Sequence, residues 1–378
     1  MTLPTIYREE HEQFREQARR FIAREIAPFH DAWEKDKQVP RELWRKAGEA
    51  GLLCMTTPEQ YGGLGADLLF PFVLNEELAK VFATGPSFGL HSDIIAPYIV
   101  NFGTEEQKQK WLPRMASGET ISGIAMTEPG AGSDLQSIRT RAVADGDSYV
   151  ISGQKTFISN GQLADLFVVV TKTDTTQGAK GVTLFLVESD RPGFRRGRNL
   201  EKIGRKAQDT SELFFDEVRV PKENVLGSVG KGFVTLMGEL PRERMLIAAG
   251  AVNVIEAVLD ETIRYTKERT AFGQRIIDFQ ANRFALAEMK AEATMLRIFV
   301  NQCILMLAEG KLDTTTAAMA KLQTTEAQCK IVDNCLQMFG GYGYMWEYPV
   351  ARAWADSRIQ RIYGGTSEIM KELIGRTL

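Results

Sequence analysis

Histidine is scarce in this chain. Only His11, His30 and His91 occur, none at HExxH or similar metal-ligand spacing, so zinc-assisted hydrolysis and most histidine-based triads lack their parts. Cys54, Cys303, Cys329 and Cys335 are scattered without a CxxC pair and fall mostly within apolar helical patterns, which reads as buried, reduced thiols. There is no GxSxG, no Walker A and no GxGxxG segment, and a dinucleotide held by a Rossmann turn is thereby excluded. Charge of one sign is missing too: 46 basic against 49 acidic residues leave a net charge of −3, with no field to draw the chain to nucleic acid or an anionic membrane. The longest mostly apolar stretch, Met245 to Leu259, is broken by Asn253 and Glu256 and is too short for a bilayer, so no membrane span is expected. Residues 1–20 carry Arg, Glu and Gln where a secretory leader would have an apolar core, and the expected location is cytoplasmic.

What is present fits a large globular protein. At 378 residues the chain exceeds the size at which a single core stops growing, which predicts several cooperating subdomains. From Glu9 to Phe29 apolar residues recur at Phe14, Ala18, Phe21, Ile22 and Ile26, the spacing of an amphipathic helix. Helical patterns continue at 41–50, 70–83 and 105–117, so residues 1–120 read as a helical domain. After Ile121 short β-branched and aromatic runs take over: Tyr149–Ile151, Phe167–Thr171, Val182–Val187 and Leu213–Phe215. Asp145-Gly146 between two such runs is a hairpin signal. Residues 121–228 therefore read as a compact β domain, with no long helices to cover a parallel sheet. Over 229–378 long helical periodicity returns, broken near Gly273 and Gly310, and fits a helical bundle.

Three features carry candidate chemistry. Thr127-Glu128-Pro129-Gly130-Ala131-Gly132-Ser133-Asp134 brings exposed backbone amides to the entrance of the β domain, where they suit a phosphate or a ring edge, or simply form a tight loop. Phe339-Gly340-Gly341-Tyr342-Gly343-Tyr344 follows a helix and equally suits a C-terminal cap. Glu243 follows Pro241 and reads as lying in the first turn of a helix, where an acid also favours the helix dipole whatever its chemistry.

The order of the segments decides between these alternatives. Met126 to Asp134, Lys155 to Gly161, Arg269 to Gly273, Gln337 to Gly341 and Ile362 to Glu368 resemble the signature segments of the acyl-CoA dehydrogenases, in that family's order and spacing. The resemblance runs from about residue 8 to the C-terminus. It implies an α+β multi-domain fold, with an N-terminal α-helical domain, a β-barrel-like middle domain and a C-terminal four-helix-bundle domain. It also implies FAD, an acyl-CoA substrate, a homotetramer built as a dimer of dimers, and electron-transferring flavoprotein as electron acceptor. Carried over by position, Met126, Thr127, Gly132 and Ser133 would line the flavin. Phe157 would lie against its ring, where many relatives have Trp, and Ser159 near N5, where many have Thr. Arg269, Phe272, Gln280, Gln337, Gly340 and Gly341 would reach the FAD of a neighbouring subunit, and Thr366 and Glu368 the FAD of their own. Ser133, Pro241, Arg244, Gly364 and Gly365 would border the substrate, with Arg244 either touching it or holding the helix start.

One position departs from the commoner family pattern. Most members carry the catalytic glutamate directly after the Tyr of the late motif, and here that residue is Gly364. Long-chain and isovaleryl-type members carry the base before an arginine on a central helix, which Glu243-Arg244 matches. The resemblance therefore implies Glu243 as the base that takes the α proton while hydride leaves the β carbon for flavin N5, with the Gly364 N–H meeting the thioester oxygen. Similarity is strongest to the long-chain branch, through Ala207-Gln208-Asp209-Thr210 and Gly343 to Pro349 among other segments, and a medium- to long-chain substrate is expected. Two rivals keep the fold: an acyl-CoA oxidase that reduces O₂, and a non-catalytic acyl-CoA-binding homologue.

Overall fold

The computed structural model describes residues 5–378, and residues 1–4 of the domain expected at 1–120 lie outside the described residues. The first layer is helical: α1 (Glu9–Glu25), α2 (His30–Asp36), α3 (Arg41–Glu49), α4 (Leu69–Lys80), α5 (Ala96–Phe102) and α6 (Glu105–Ala116). On α1 the predicted stripe of Phe14, Ala18, Phe21 and Ile22 is buried, while Glu9, Glu10 and Glu12 occupy the first turn, next to the positive end of the helix dipole. α6 opens on a capping box, in which Thr104 Oγ1 accepts from the Gln107 N–H and Gln107 Oε1 from the Thr104 N–H. The sequence reading missed α2 and also the π-helical turn Leu90–Ile95 that runs directly into α5.

The middle of the chain is an eight-stranded sheet in the order β6-β7-β3-β2-β4-β5-β8, with β1 paired on β4. The strands are β1 (Ser122–Ala125), β2 (Arg141–Asp145), β3 (Ser148–Ser159), β4 (Leu166–Lys172), β5 (Val182–Glu188), β6 (Phe194–Asn199), β7 (Thr210–Pro221) and β8 (Val225–Leu226). The predicted hairpin joins β2 to β3, with Asp145 opposite Ser148 and Gly146 at φ +58°, a conformation that costs glycine little. Phe167 on β4 lies 5.5 Å from Phe194 on β6, at the far end of the strand order, so the sheet folds back on itself in barrel-like fashion. β4 is buried along its whole length: Phe167 and Val169 face one apolar cluster, and Leu166, Val168 and Val170 face another. β6, with its Arg-rich sequence, lacked any alternating pattern and was missed.

The third layer holds α7 (Gly232–Glu268), α8 (Gln280–Ala308), α9 (Thr314–Met338), α10 (Pro349–Ser357) and α11 (Ser367–Gly375). A two-stranded ribbon, β9 (Thr270–Ala271) with β10 (Gln274–Arg275), joins α7 to α8 around Gly273 at φ +79°. Two expectations need correcting. α7 begins at Gly232, so Pro241 lies inside the helix and Glu243 well past its first turn; the dipole account of an acid at that position therefore lapses. Met245 to Leu259 is also not the most membrane-like stretch, since α8 is long and apolar enough to cross a bilayer by length and composition, with 22% of that stretch buried.

Candidate functional site

Glu243 projects from α7 with 8% of its surface exposed. Its one protein partner among the described residues is Tyr98 on α5, whose hydroxyl donates to Oε1 at 2.8 Å. Burial pushes the Glu243 carboxyl up to about 7; Glu239 adds to the rise, while the Tyr98 hydroxyl and the Arg244 guanidinium oppose it. One turn earlier on α7, Glu239 Oε1 accepts from Asn101 Nδ2 at 2.9 Å. A carboxyl that titrates near neutrality inside an apolar wall suits a group that gains and loses a proton during a reaction.

Opposite this helix runs the turn that precedes α11. Gly364 sits at φ +65°, and a Cβ there would stand 2.4 Å from Ile247 Cδ1. Its carbonyl faces Arg244 Nε at 3.5 Å, and the Gly365 carbonyl accepts from the buried Lys321 ammonium at 2.7 Å. Arg244 is itself 3% exposed, and its Nη1 has no hydrogen-bond partner among the described residues, which fits a group waiting for a ligand. Thr366 caps α11 by accepting from the Ile369 N–H, and Glu368 is exposed in the first turn. Arg244 and Gly364 are thus brought together beside Glu243 in the chain, and Lys321, which was not foreseen, holds Gly365.

A second group lies on the β domain. Met126 packs in the same apolar cluster as Tyr98 and Leu236, which ties this edge of the sheet to α5 and α7. The Thr127 carbonyl accepts from the Thr156 N–H at 2.9 Å. Phe157 follows at φ +60°, in a register irregularity of the β3–β7 ladder, with 67% of its surface exposed. An exposed aromatic ring on left-handed backbone is held there at some cost, the kind of strain that clusters at functional sites. Ser159 closes the strand two residues on. Gly132 and Ser133 are exposed, and a Cβ on Gly130 or Gly132 would meet no protein atom within 4 Å, so internal packing does not require glycine there. Beneath the loop Lys155, 1% exposed, donates to the Met126 carbonyl at 2.9 Å and to Glu128 Oε1 at 2.8 Å. Glu128 also accepts from the N–H groups of Arg139 and Thr140. Burial alone would raise the Glu128 carboxyl, but Lys155 and these donors hold it below the usual carboxylate range. Both residues stood inside the quoted motifs; their apposition was invisible in a linear reading.

A third group lies where α7 and α9 end and α8 begins. Arg269 stands over the Tyr342 ring at 5.9 Å. Phe272, at φ +51° on the β9–β10 turn, is 97% exposed, and Gln280, Gln337, Gly340 and Gly341 are exposed as well. Among the described residues no side-chain hydrogen bond or ion pair joins this group to the other two. Within one subunit the sequence-predicted set is therefore split.

Known proteins match this arrangement over the whole described chain. Family models match in chain order: acyl-CoA dehydrogenase, N-terminal domain over residues 8–119, middle domain over 123–218 and C-terminal domain over 230–378. The mitochondrial long-chain specific acyl-CoA dehydrogenase of Rattus norvegicus is 48% identical over 375 residues, covering 99% of this chain and 87% of its own. The crystal structure of an acyl-CoA dehydrogenase from Geobacillus kaustophilus is 49% identical, with a TM-score of 0.98 and 99% of both chains covered. A chain described as electron transferring flavoprotein of Acidaminococcus fermentans is 37% identical at a TM-score of 0.94, again over 99% of both chains.

Proposed function

The chain belongs to the acyl-CoA dehydrogenase family and is an FAD-dependent oxidoreductase, and on that premise we propose that Glu243 removes the α proton of a medium- to long-chain saturated acyl-CoA to give the trans-2-enoyl-CoA. The observation that carries this reading is the Glu243 carboxyl itself. It is buried and raised to about 7, and Gly364, at the position where many relatives keep their base, packs against Ile247 and Arg244 of the same helix. Gly364 has no side chain to take a proton, and its N–H is assigned to the thioester oxygen, where negative charge develops as the α C–H breaks. Arg244 holds the Gly364 carbonyl and keeps one nitrogen free for substrate. Pro241, Gly365 and Ser133 are assigned to the border of the same substrate space.

The residues present fit the flavin. Open backbone at Gly130 and Gly132, an exposed Phe157 ring and the Ser159 hydroxyl form a cradle that internal packing does not explain. Met126, Thr127, Gly132, Ser133, Phe157, Ser159, Thr366 and Glu368 are assigned to the FAD of their own subunit. FAD, when bound, supplies the acceptor for the β hydride. Arg269, Phe272, Gln280, Gln337, Gly340 and Gly341 are assigned to the FAD of a neighbouring subunit, consistent with their exposure and with their separation from the first two groups. The assembly is read as a homotetramer, a dimer of dimers, with residue divisions at 120 and 228 in each subunit. Its electrons pass to an electron-transferring flavoprotein, a partner type named for one structural neighbour. The preference for longer chains rests on the 48% identity to a long-chain specific relative.

The test is the visible spectrum of the holoenzyme titrated anaerobically with butyryl-, octanoyl- and palmitoyl-CoA. Octanoyl- or palmitoyl-CoA is expected to bleach the flavin band at lower concentration than butyryl-CoA. Glu243→Gln should retain FAD yet lose bleaching by at least a factor of ~10². A Gln variant that bleaches like the parent removes Glu243 from the role.

A further inference from the structure

We propose that Tyr98 is a positioning residue for this reaction, its hydroxyl fixing one oxygen of Glu243 so that the other is presented to substrate. The inference rests on the reading of Glu243 as the base. Tyr98 is fully buried on α5, and the 2.8 Å bond from its hydroxyl to Glu243 Oε1 bridges two layers of the fold and 145 residues of sequence. The neighbouring Asn101–Glu239 bond adds a second rung between the same helices, so neither α5 nor α7 can shift without breaking both. Glu243 Oε2 accepts no hydrogen bond among the described residues, yet it is not one of the buried atoms sealed from solvent without a partner. One oxygen is therefore tied and the other faces open space.

The chemistry follows from that asymmetry. A carboxyl free to rotate would present either oxygen in several orientations, and holding Oε1 removes that freedom before substrate arrives. A hydroxyl that donates to the ionised form also keeps the carboxylate available against burial. Tyr98 does not act as the base in its place: burial, then Glu243 and Glu239, push its phenol well above the usual value. The charged groups around the pair are Glu239 and Arg244 on α7, with Arg242 3.8 Å from Glu239; α5 contributes only Tyr98 and the neutral Asn101.

Tyr98→Phe in the holoenzyme removes one oxygen and leaves the ring against Phe102. FAD content should be unchanged and KM should stay within about twofold, while kcat falls about tenfold or more. The acid limb of the kcat/KM profile should move to higher pH, because the hydroxyl no longer stabilises the carboxylate. Turnover within twofold of the parent overturns the proposal. So does a loss of turnover with an unmoved limb, which would mean packing alone. If Tyr98→Phe fails to fold, a fluorinated tyrosine at position 98, a stronger donor of similar size, should move the limb the opposite way, and an unmoved limb there overturns the proposal equally. Glu243→Gln separates the two levels: normal turnover in that variant sinks the base assignment, whereas an inactive Glu243→Gln beside a normal Tyr98→Phe sinks only the role of Tyr98.

Discussion

Glu243 is costly to bury, and the cost has a definite pH signature. Its folded carboxyl sits near 7 against an ordinary 4.5. Between those values the folded chain holds a proton that the unfolded chain has released, so this residue makes stability fall as pH rises through the window, and the full cost persists above it. Asp93, on the π-helical turn ahead of α5, is also raised to about 7 by burial, leaves Oδ1 without a partner and acts with the same sign. His30 and His91 act oppositely: burial lowers each to about 4, so they remove stability as pH falls below 6.5. Glu243→Gln keeps an oxygen for the Tyr98 hydroxyl and removes the ionisation. The variant should melt above the parent at pH 8, by the equivalent of about 3 kcal/mol, and the gap should close towards pH 4. Thermal scans at the two pH values check this; a gap independent of pH would show that the carboxyl is not the source.

At the scale of elements, the loop Met126–Asp134 is placed by what lies beneath it. Lys155 and Glu128 form a buried pair that also holds backbone of this loop, at Met126, and of the segment just ahead of β2, at Arg139 and Thr140. Removing one partner of such a pair strands a buried charge and costs roughly 3–5 kcal/mol. Lys155→Met should therefore lower the melting temperature and release FAD on dilution, with the flavin absorbance of the gel-filtered protein as the readout. How far such elements were legible depended on whether a local rule governed them. α1, α3, α4 and α6 followed apolar periodicity, and β4 and β5 followed β-branched composition. α7 was misplaced because Pro241 resembles a helix start, whereas packing carries the helix through it from Gly232. The helical stretch 90–102, with buried His91, Ser92 and Asp93 among its apolar residues, offered no amphipathic stripe. Glu243 was legible through motif logic, but Tyr98, Lys321 and the Lys155–Glu128 apposition were not, since each joins residues 27 to 145 positions apart.

At the scale of the molecule, α8 decides what one subunit lacks. Its inner face packs Leu286, Met289, Ala293, Val300, Cys303 and Ile304 against the bundle, while Phe284, Met295 and Ile298 are 52–65% exposed. Exposed apolar residues repeated along a 29-residue helix fit a contact surface for the neighbouring subunit proposed above. Ahead of the N-terminus of α8 Phe272 stands almost wholly free, in the group with Arg269 and Gln280 that is assigned to a neighbour's FAD. These two facts predict that assembly and cofactor retention are coupled. Replacing Met295 and Ile298 by Lys places two charges in the proposed contact at no cost to the interior, since neither residue is buried. Light scattering of the parent should give a mass four times that of the 42.2 kDa chain, and the double variant should be smaller, fold with unchanged far-ultraviolet circular dichroism, and lose FAD in proportion to the loss of assembly. A folded, smaller species that keeps its full complement of flavin would separate the α8 surface from the cofactor and place Arg269, Phe272 and Gln280 outside the FAD site.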